Sequence, residues 1–103
     1  MRKATVLVDR SVAGTLTEVE KGRKYRFEYR DGYSGEPVSL TMPVRQQVSD
    51  FDRFPPFFEG LLPEGFQLES LLRQLKIDRD DCFSQLLAVG RDMVGAVTVQ
   101  PEE

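Results

Sequence analysis

The sequence contains no histidine, no tryptophan and a single cysteine. Without histidine the chain lacks the commonest general base and the commonest transition-metal ligand. One cysteine cannot form an internal disulfide, and without histidine it cannot build a Cys/His zinc site. A serine triad would lack its base. We therefore predict that the protein is not an enzyme and holds no cofactor and no metal.

The phosphate-binding motifs are also incomplete. Gly90 and Gly95 stand at the separation of a P-loop, but Ala96 and Val97 follow where Lys and Ser/Thr are required. The Asp78, Asp80 and Asp81 carboxylates lack the glycine and the late glutamate of an EF-hand loop. Such acids are typical of a helix start, where they cap backbone N–H groups. The acidic neighbours of Cys82 make that thiol a poor nucleophile, so a structural role is expected for it.

Long hydrophobic runs are missing as well. The apolar residues after Met1 stop at Asp9-Arg10, too early for a signal peptide, and no stretch approaches the ~20 residues that cross a bilayer. A cytoplasmic protein without membrane contact is expected. Residues 1–50 carry nine Lys/Arg and seven Asp/Glu, whereas residues 51–103 carry five and ten. This acidic balance argues against direct nucleic-acid binding and gives the second half a face that could meet a basic partner, or simply a solvated surface.

Alternation of apolar and polar residues predicts four strands in the first half of the chain. In the clearest, Lys24–Arg30, three aromatic residues alternate with charged ones, as in an antiparallel strand with one wet face. The others cover residues 4–9, residues 11–19 across a tight Asp9-Arg10 turn, and Val38–Met42, which Pro43 ends or places at an edge. Residues 44–53 are predicted to be a loop, and Val94–Val99 to be a closing strand.

Helical spacing appears only after residue 55. Pro56 is suited to the first position of a short helix, which Pro63 would stop. A second helix, over residues 66–76, is predicted with a buried stripe, and a third is capped by Asp80 or Asp81 and ended by Gly90. The residues predicted to face inward on these last two helices are Leu68, Leu71, Leu72, Leu75, Phe83, Leu86 and Leu87. Strands followed by helices predict one α+β domain over residues 1–103, a small, mostly antiparallel sheet with helices packed on one side.

The segment 54–66 is the best candidate for a binding site. It holds four phenylalanines and three prolines in thirteen residues. Aromatic anchors dominate interface energetics, and prolines reduce the entropy lost when a loop is held in one shape. We expect Phe57, Leu61 and Leu62 to be mainly buried and the other three rings to be partly exposed. The predicted partner-binding residues are Phe54, Phe58, Glu59, Glu64, Gly65 and Phe66.

Several of these motifs resemble the N-terminal domain of HipA-family kinases, and the similarity extends over nearly the whole chain. The most specific is Phe57-Phe58-Glu59-Gly60-Leu61-Leu62-Pro63-Glu64-Gly65, because this phrase is long and compositionally unusual. The remaining motifs are Gly14-Thr15-Leu16, Pro43-Val44-Arg45, Pro55-Pro56, Leu87-Ala88-Val89-Gly90-Arg91-Asp92 and Gly95-Ala96-Val97.

HipA-like proteins continue into a kinase body, whereas this sequence stops after the first subdomain. It therefore resembles the stand-alone, HipS-like antitoxin of a tripartite HipBST system. The resemblance implies a bacterial antitoxin that binds and inhibits a HipA/HipT-type serine/threonine kinase toxin, with a DNA-binding HipB-like protein in the same complex. It also leads to the hypothesis that Phe66 points toward the active-site side of that kinase.

Three other interpretations stay open at this point. The same surface would serve a non-catalytic subunit that activates a split HipA-like kinase, or an accessory of a HipB-like repressor complex. The sequence is also compatible with a fragment of a longer kinase.

Overall fold

The computed structural model describes residues 1–93 and 95–102. Its frame is a five-stranded antiparallel sheet with the spatial order β4-β3-β2-β1-β5. The strands are β1 (Arg2–Val8), β2 (Ser11–Glu20), β3 (Lys24–Tyr29), β4 (Val48–Phe51) and β5 (Val97–Pro101). Three α-helices follow β4, α1 (Pro56–Glu59), α2 (Gly65–Leu75) and α3 (Cys82–Val89), and a short 3₁₀ helix (Gly90–Asp92) leads toward β5.

The predicted turn between β1 and β2 is confirmed. Val8 pairs with Ser11, so that only Asp9 and Arg10 connect the strands. Both residues have positive φ, 49° and 71°. Two positive φ values are the mark of a type I′ turn, whose twist matches that of the strands it joins.

The core lies on one face of the sheet. The cross-strand neighbours Ala4, Leu16 and Phe27 are fully buried there, and the aromatic face of β3 predicted from alternation is buried along its whole length. Phe58 of α1 and Phe83 and Leu86 of α3 cover this face and are also fully buried. Helices on one side of an antiparallel sheet confirm the predicted α+β class.

The fourth strand lies at a different place from the one predicted. Residues 38–42 form a turn, with a single bridge between Ser39 and Met42, and β3 pairs instead with Val48–Phe51, inside the segment predicted to be a loop. The alternation of Val38, Leu40 and Met42 was misleading because Val38 and Met42 are buried in a turn just as they would be in a strand. The Tyr29 hydroxyl bonds to the backbone at both ends of this turn.

Helices α1 and α3 start where the sequence predicts, and α2 starts at Gly65, one residue before the predicted start. Pro56 occupies the first turn of α1, which ends at Glu59, before Pro63. The Asp81 side chain accepts a hydrogen bond from the Ser84 N–H at 3.1 Å and caps α3, and Gly90 follows the last α-helical residue. The closing strand is displaced from the prediction: β5 begins at Val97, Gly95 and Ala96 precede it, and Val94 lies outside the described residues. No helix among the described residues is long and apolar enough to span a bilayer.

Candidate partner-binding surface

The phenylalanines of segment 54–66 divide between core and surface. Phe54 is 7% exposed and meets the Tyr25 ring edge-on, with 5.2 Å between the ring centroids. Phe58 is fully buried, and its ring centroid lies 6.1 Å from that of Phe27. The prediction that these two rings are partly exposed is therefore wrong, because both pack against the inward aromatic face of β3. Phe57, which we expected to be mainly buried, is half-buried.

Phe66 lies at the opposite extreme, with 94% of its surface exposed. It directly follows Gly65, whose φ of +59° is one that residues with a side chain rarely adopt. No heavy atom would lie within 4 Å of a Cβ at Gly65, so there is space for a side chain. Glycine is favoured there because of the backbone conformation alone. Glycine thus sets the direction in which the chain enters α2 and presents the Phe66 ring to solvent.

Helix α2 is amphipathic, but none of its eleven residues is fully buried. The predicted buried stripe is therefore incorrect. Leu68, Leu71 and Leu72 are half-buried, and Leu75 is 54% exposed. The helix lies against the edge of the domain instead of being inserted into the core, and much of its apolar face is left uncovered.

An open groove runs between α2 and the end of α3. Its larger part has a volume of about 530 Å³ and continues past Pro63 and Val89 toward the ring of Phe66. Leu61 and Leu62, predicted to be mainly buried, are half-buried and line the groove floor. We define the α2 surface as the apolar side chains Leu62, Pro63, Phe66, Leu71, Val89 and Met93, which border this groove.

The other predicted contact residues are placed around this surface. Glu59 ends α1 and Glu64 precedes α2, and both are exposed. Neither takes part in an ion pair within the described residues, whereas Glu69 on α2 pairs with Arg79. The exposed part of segment 54–66 therefore combines an aromatic ring with two carboxylates.

The sequence did not reveal a polar cluster that ties α3 to the sheet. Arg2 donates to both Glu18 carboxylate oxygens, at 2.8 Å and 3.0 Å, and to Asp81 at 2.9 Å. Its guanidinium also lies 5.0 Å above the Phe83 ring. The alternation of β2 held a signal for this cluster, because Glu18 shares the inward face with Leu16, and a charge at an inward position requires a partner.

These contacts set the ionisation of the carboxyl groups. Burial opposes the charge on Glu18, but hydrogen bonds from Arg2, the Gly22 N–H and Tyr25 outweigh it and hold the Glu18 pKa below its usual value. The Asp81 pKa is lowered in the same way, with burial outweighed by Arg2 and Ser84. Burial, reinforced by the Glu18 charge, raises the Tyr25 pKa to about 12, so the phenol stays neutral.

The single cysteine, Cys82, lies near three carboxylates. Burial raises the pKa of the Cys82 thiol, and the nearby Glu59, Asp81 and Asp80 raise it further, which agrees with the structural role expected for this cysteine. No group of three or more metal-ligating side chains occurs within residues 1–93 and 95–102. Within the described residues, the feature that stands out is thus the apolar α2 surface.

The fold and this surface define the chain as a small α+β domain with one exposed, aromatic-bearing helix. The chain belongs to the HipA N-terminal domain family, whose model matches residues 4–100. A solved structure described as the N-terminal domain of HipA toxin superposes with a TM-score of 0.79 and 32% identity, over all of this chain and 94% of that one.

Relatives of two lengths match the chain. An uncharacterised protein of Haemophilus influenzae is 34% identical over the whole chain, which spans 95% of it. The putative kinase Y4dM of Sinorhizobium fredii is also 34% identical, but the chain spans only 28% of that protein. The serine/threonine-protein kinase toxin HipA of Shewanella oneidensis is 30% identical over 69 residues, which are 67% of this chain and 16% of the toxin.

Proposed function

We propose that this protein is a non-catalytic antitoxin that binds a HipA/HipT-type serine/threonine kinase toxin and restrains it by protein–protein contact. The observation that carries the proposal is the exposure of Phe66 at the rim of the α2 surface. An aromatic side chain that is 94% exposed beside an apolar groove is typical of a protein–protein interaction site.

The family relationship supplies the partner's identity in this proposal. Kinases among the relatives contain a matching region as part of a longer chain. The H. influenzae relative, in contrast, is hardly longer than this domain. A domain that occurs both joined to kinases and in a protein of its own size is well suited to occupy a kinase surface in trans. Glu59 and Glu64 would contact basic groups at the margin, where charge mainly adds to specificity and association rate.

The Phe66 ring is the part of the surface best placed to act on the kinase. We propose that it is inserted on the active-site side of the kinase, where it hinders access of nucleotide or substrate or holds the lobes in an unproductive arrangement. Phe54 and Phe58, also predicted to contact the partner, are buried in the monomer, so in this proposal they stabilise the fold and the contact is made by the exposed residues.

The test uses a HipA-type kinase from the same genome, for which the neighbouring reading frame is the first place to look. Co-expression with the wild-type protein should restore growth, and the purified kinase should form a stable complex with it and lose phosphorylation activity. Phe66→Ala should weaken the complex at least about tenfold, the scale of an interface hot spot. Val12→Ser is the matched control, because Val12 is an exposed apolar residue paired with Leu7, away from the core face.

The outcomes separate the candidate functions. Heightened phosphorylation in the presence of the protein would favour an activating subunit over an antitoxin. Growth rescue by Phe66→Ala equal to that by the wild type would disprove the proposed insertion of the Phe66 ring, and absence of any complex would disprove the binding function itself.

A role in a repressor complex with a HipB-like protein is tested separately. The acidic second half of the chain disfavours direct phosphate contact, so a gel-shift measurement with this protein alone should show no shift of operator DNA. Slower migration of the HipB-like protein's own operator complex when this protein and the kinase are added would support a three-component complex, and an unchanged band would count against it.

A further inference from the structure

The turn between β3 and β4 carries an apolar side chain that lies outside both the core and the α2 surface. Leu40 is 93% exposed, although Val38 and Met42 on either side of it are only 5% and 1% exposed. Leu40 and Phe66 are the two most exposed large hydrophobic side chains among the described residues.

A single buried phenol fixes both ends of this turn. The Tyr29 Oη accepts a hydrogen bond from the Val38 N–H at 2.9 Å and donates one to the Met42 carbonyl. Within the turn, the Met42 N–H donates to the Ser39 carbonyl at 3.0 Å, and the Thr41 N–H donates to Ser39 Oγ at 3.2 Å. The turn is held in one shape before any partner arrives, so covering Leu40 costs little conformational entropy.

The turn belongs to the same layer as the segment that leads to Phe66. Phe27 and Tyr29 share the inward face of β3, where Phe58 of α1 lies against Phe27 and Met42 is hydrogen-bonded to Tyr29. The turn that carries Leu40 and the helix α1 that precedes the α2 surface are therefore both packed on this face of the sheet.

We infer that Leu40 is a second anchor for the kinase partner, acting together with the α2 surface; this inference rests on the proposed function. Isolated exposed leucines are common on protein surfaces. Leu40 differs because two buried neighbours and a buried phenol hold it away from the core. In the kinase relative Y4dM the matched region is 28% of the protein, so a domain of this kind has a large kinase body available as its neighbour.

Isothermal titration with the same purified HipA-type kinase tests this inference. Leu40→Ser should raise Kd by about tenfold or more, as expected for an anchor residue, and should leave Tm unchanged because the side chain is exposed. Val12→Ser again controls for the loss of an exposed apolar side chain and should leave Kd unchanged.

A second variant tests whether the hydrogen bonds of Tyr29, which hold the turn in shape, contribute to binding by Leu40. Tyr29→Phe removes the hydroxyl that holds the turn but keeps Leu40, so it should raise Kd by less than Leu40→Ser does. Hydrogen exchange of the Val38 and Met42 amides should become faster in this variant, which shows independently that the turn has loosened.

Failure of the inference and failure of the proposed function are distinguishable. If the wild-type protein binds the kinase and Leu40→Ser binds equally well, Leu40 is not an anchor, but the antitoxin proposal stands. If the wild-type protein forms no complex, both fall. If sedimentation shows that the chain alone forms a dimer that Leu40→Ser dissociates, the partner of Leu40 is a second copy, and the kinase assignment is overturned.

Discussion

Arg2 holds the buried carboxylate of Glu18 with two hydrogen bonds, from Nε at 2.8 Å and from Nη2 at 3.0 Å. The same guanidinium reaches Asp81, the capping residue of α3. The second residue of the chain thereby connects two strands to the helix whose far end borders the α2 surface. Only 5% of the Glu18 side chain is exposed, so removal of Arg2 would take away two of the hydrogen bonds that compensate its charge for the loss of water.

The first prediction concerns acid stability. Folding lowers the pKa of Glu18 from its ordinary value of 4.5 and that of Asp81 from 3.8, so the unfolded chain binds more protons in acid. The stabilisation is complete above these ordinary values and is lost as pH falls through the lower values of the folded state. Tm should therefore be level near neutral pH and fall below about pH 4.5.

Arg2→Met is the matched variant for this prediction. Removing one partner of a buried pair costs about 3–5 kcal/mol, but Arg2 is 35% exposed, so we expect a loss of about 1–3 kcal/mol at pH 7. The variant should also show a weaker fall of Tm in acid, measured by circular dichroism. A wild-type-like acid profile in Arg2→Met would contradict the role assigned to the cluster.

The second prediction separates the two kinds of phenylalanine in segment 54–66. Phe58→Ala empties a fully buried site and should lower the free energy of unfolding by about 3–5 kcal/mol. Phe66→Ala removes an exposed ring and should change it by less than about 0.5 kcal/mol. Urea denaturation of both variants measures the difference, and equal losses would show that Phe66 is packed against the domain in solution.

The third prediction compares two glycines. A Cβ on Gly14 would lie 2.2 Å from the backbone oxygen of Glu28, which pairing with β2 holds in place, whereas a Cβ on Gly60 would meet its nearest atom at 3.5 Å. Gly14→Ala should therefore destabilise the protein by about 2 kcal/mol or more, through strain in the sheet. Gly60→Ala should leave Tm within a few degrees of the wild type, and a similar drop in both variants would contradict this explanation.

The sequence alone determined the local elements with strong periodicity. The alternating aromatic residues of β3, the proline at the start of α1 and the aspartate cap of α3 each specify their structure through neighbouring residues, and the structure agrees. The family resemblance was also present in the sequence, because its motifs are contiguous and unusual in composition. Glu64, Gly65 and Phe66 could be predicted to lie on the surface for the same local reason, since a turn and a helix start expose what they carry.

The tertiary structure decided which apolar residues are covered. Phe54 and Phe58 are buried because the aromatic face of β3 lies beneath them, and the leucines of α2 stay partly open because that helix lies at the edge of the domain. Val38 and Met42 fit a strand or a turn equally well until the Tyr29 hydroxyl selects the turn, and this selection is what exposes Leu40. The pairing of Arg2 with Glu18 and Asp81 likewise depends on residues far apart in the chain, which only the assembled sheet and helix bring within hydrogen-bonding distance.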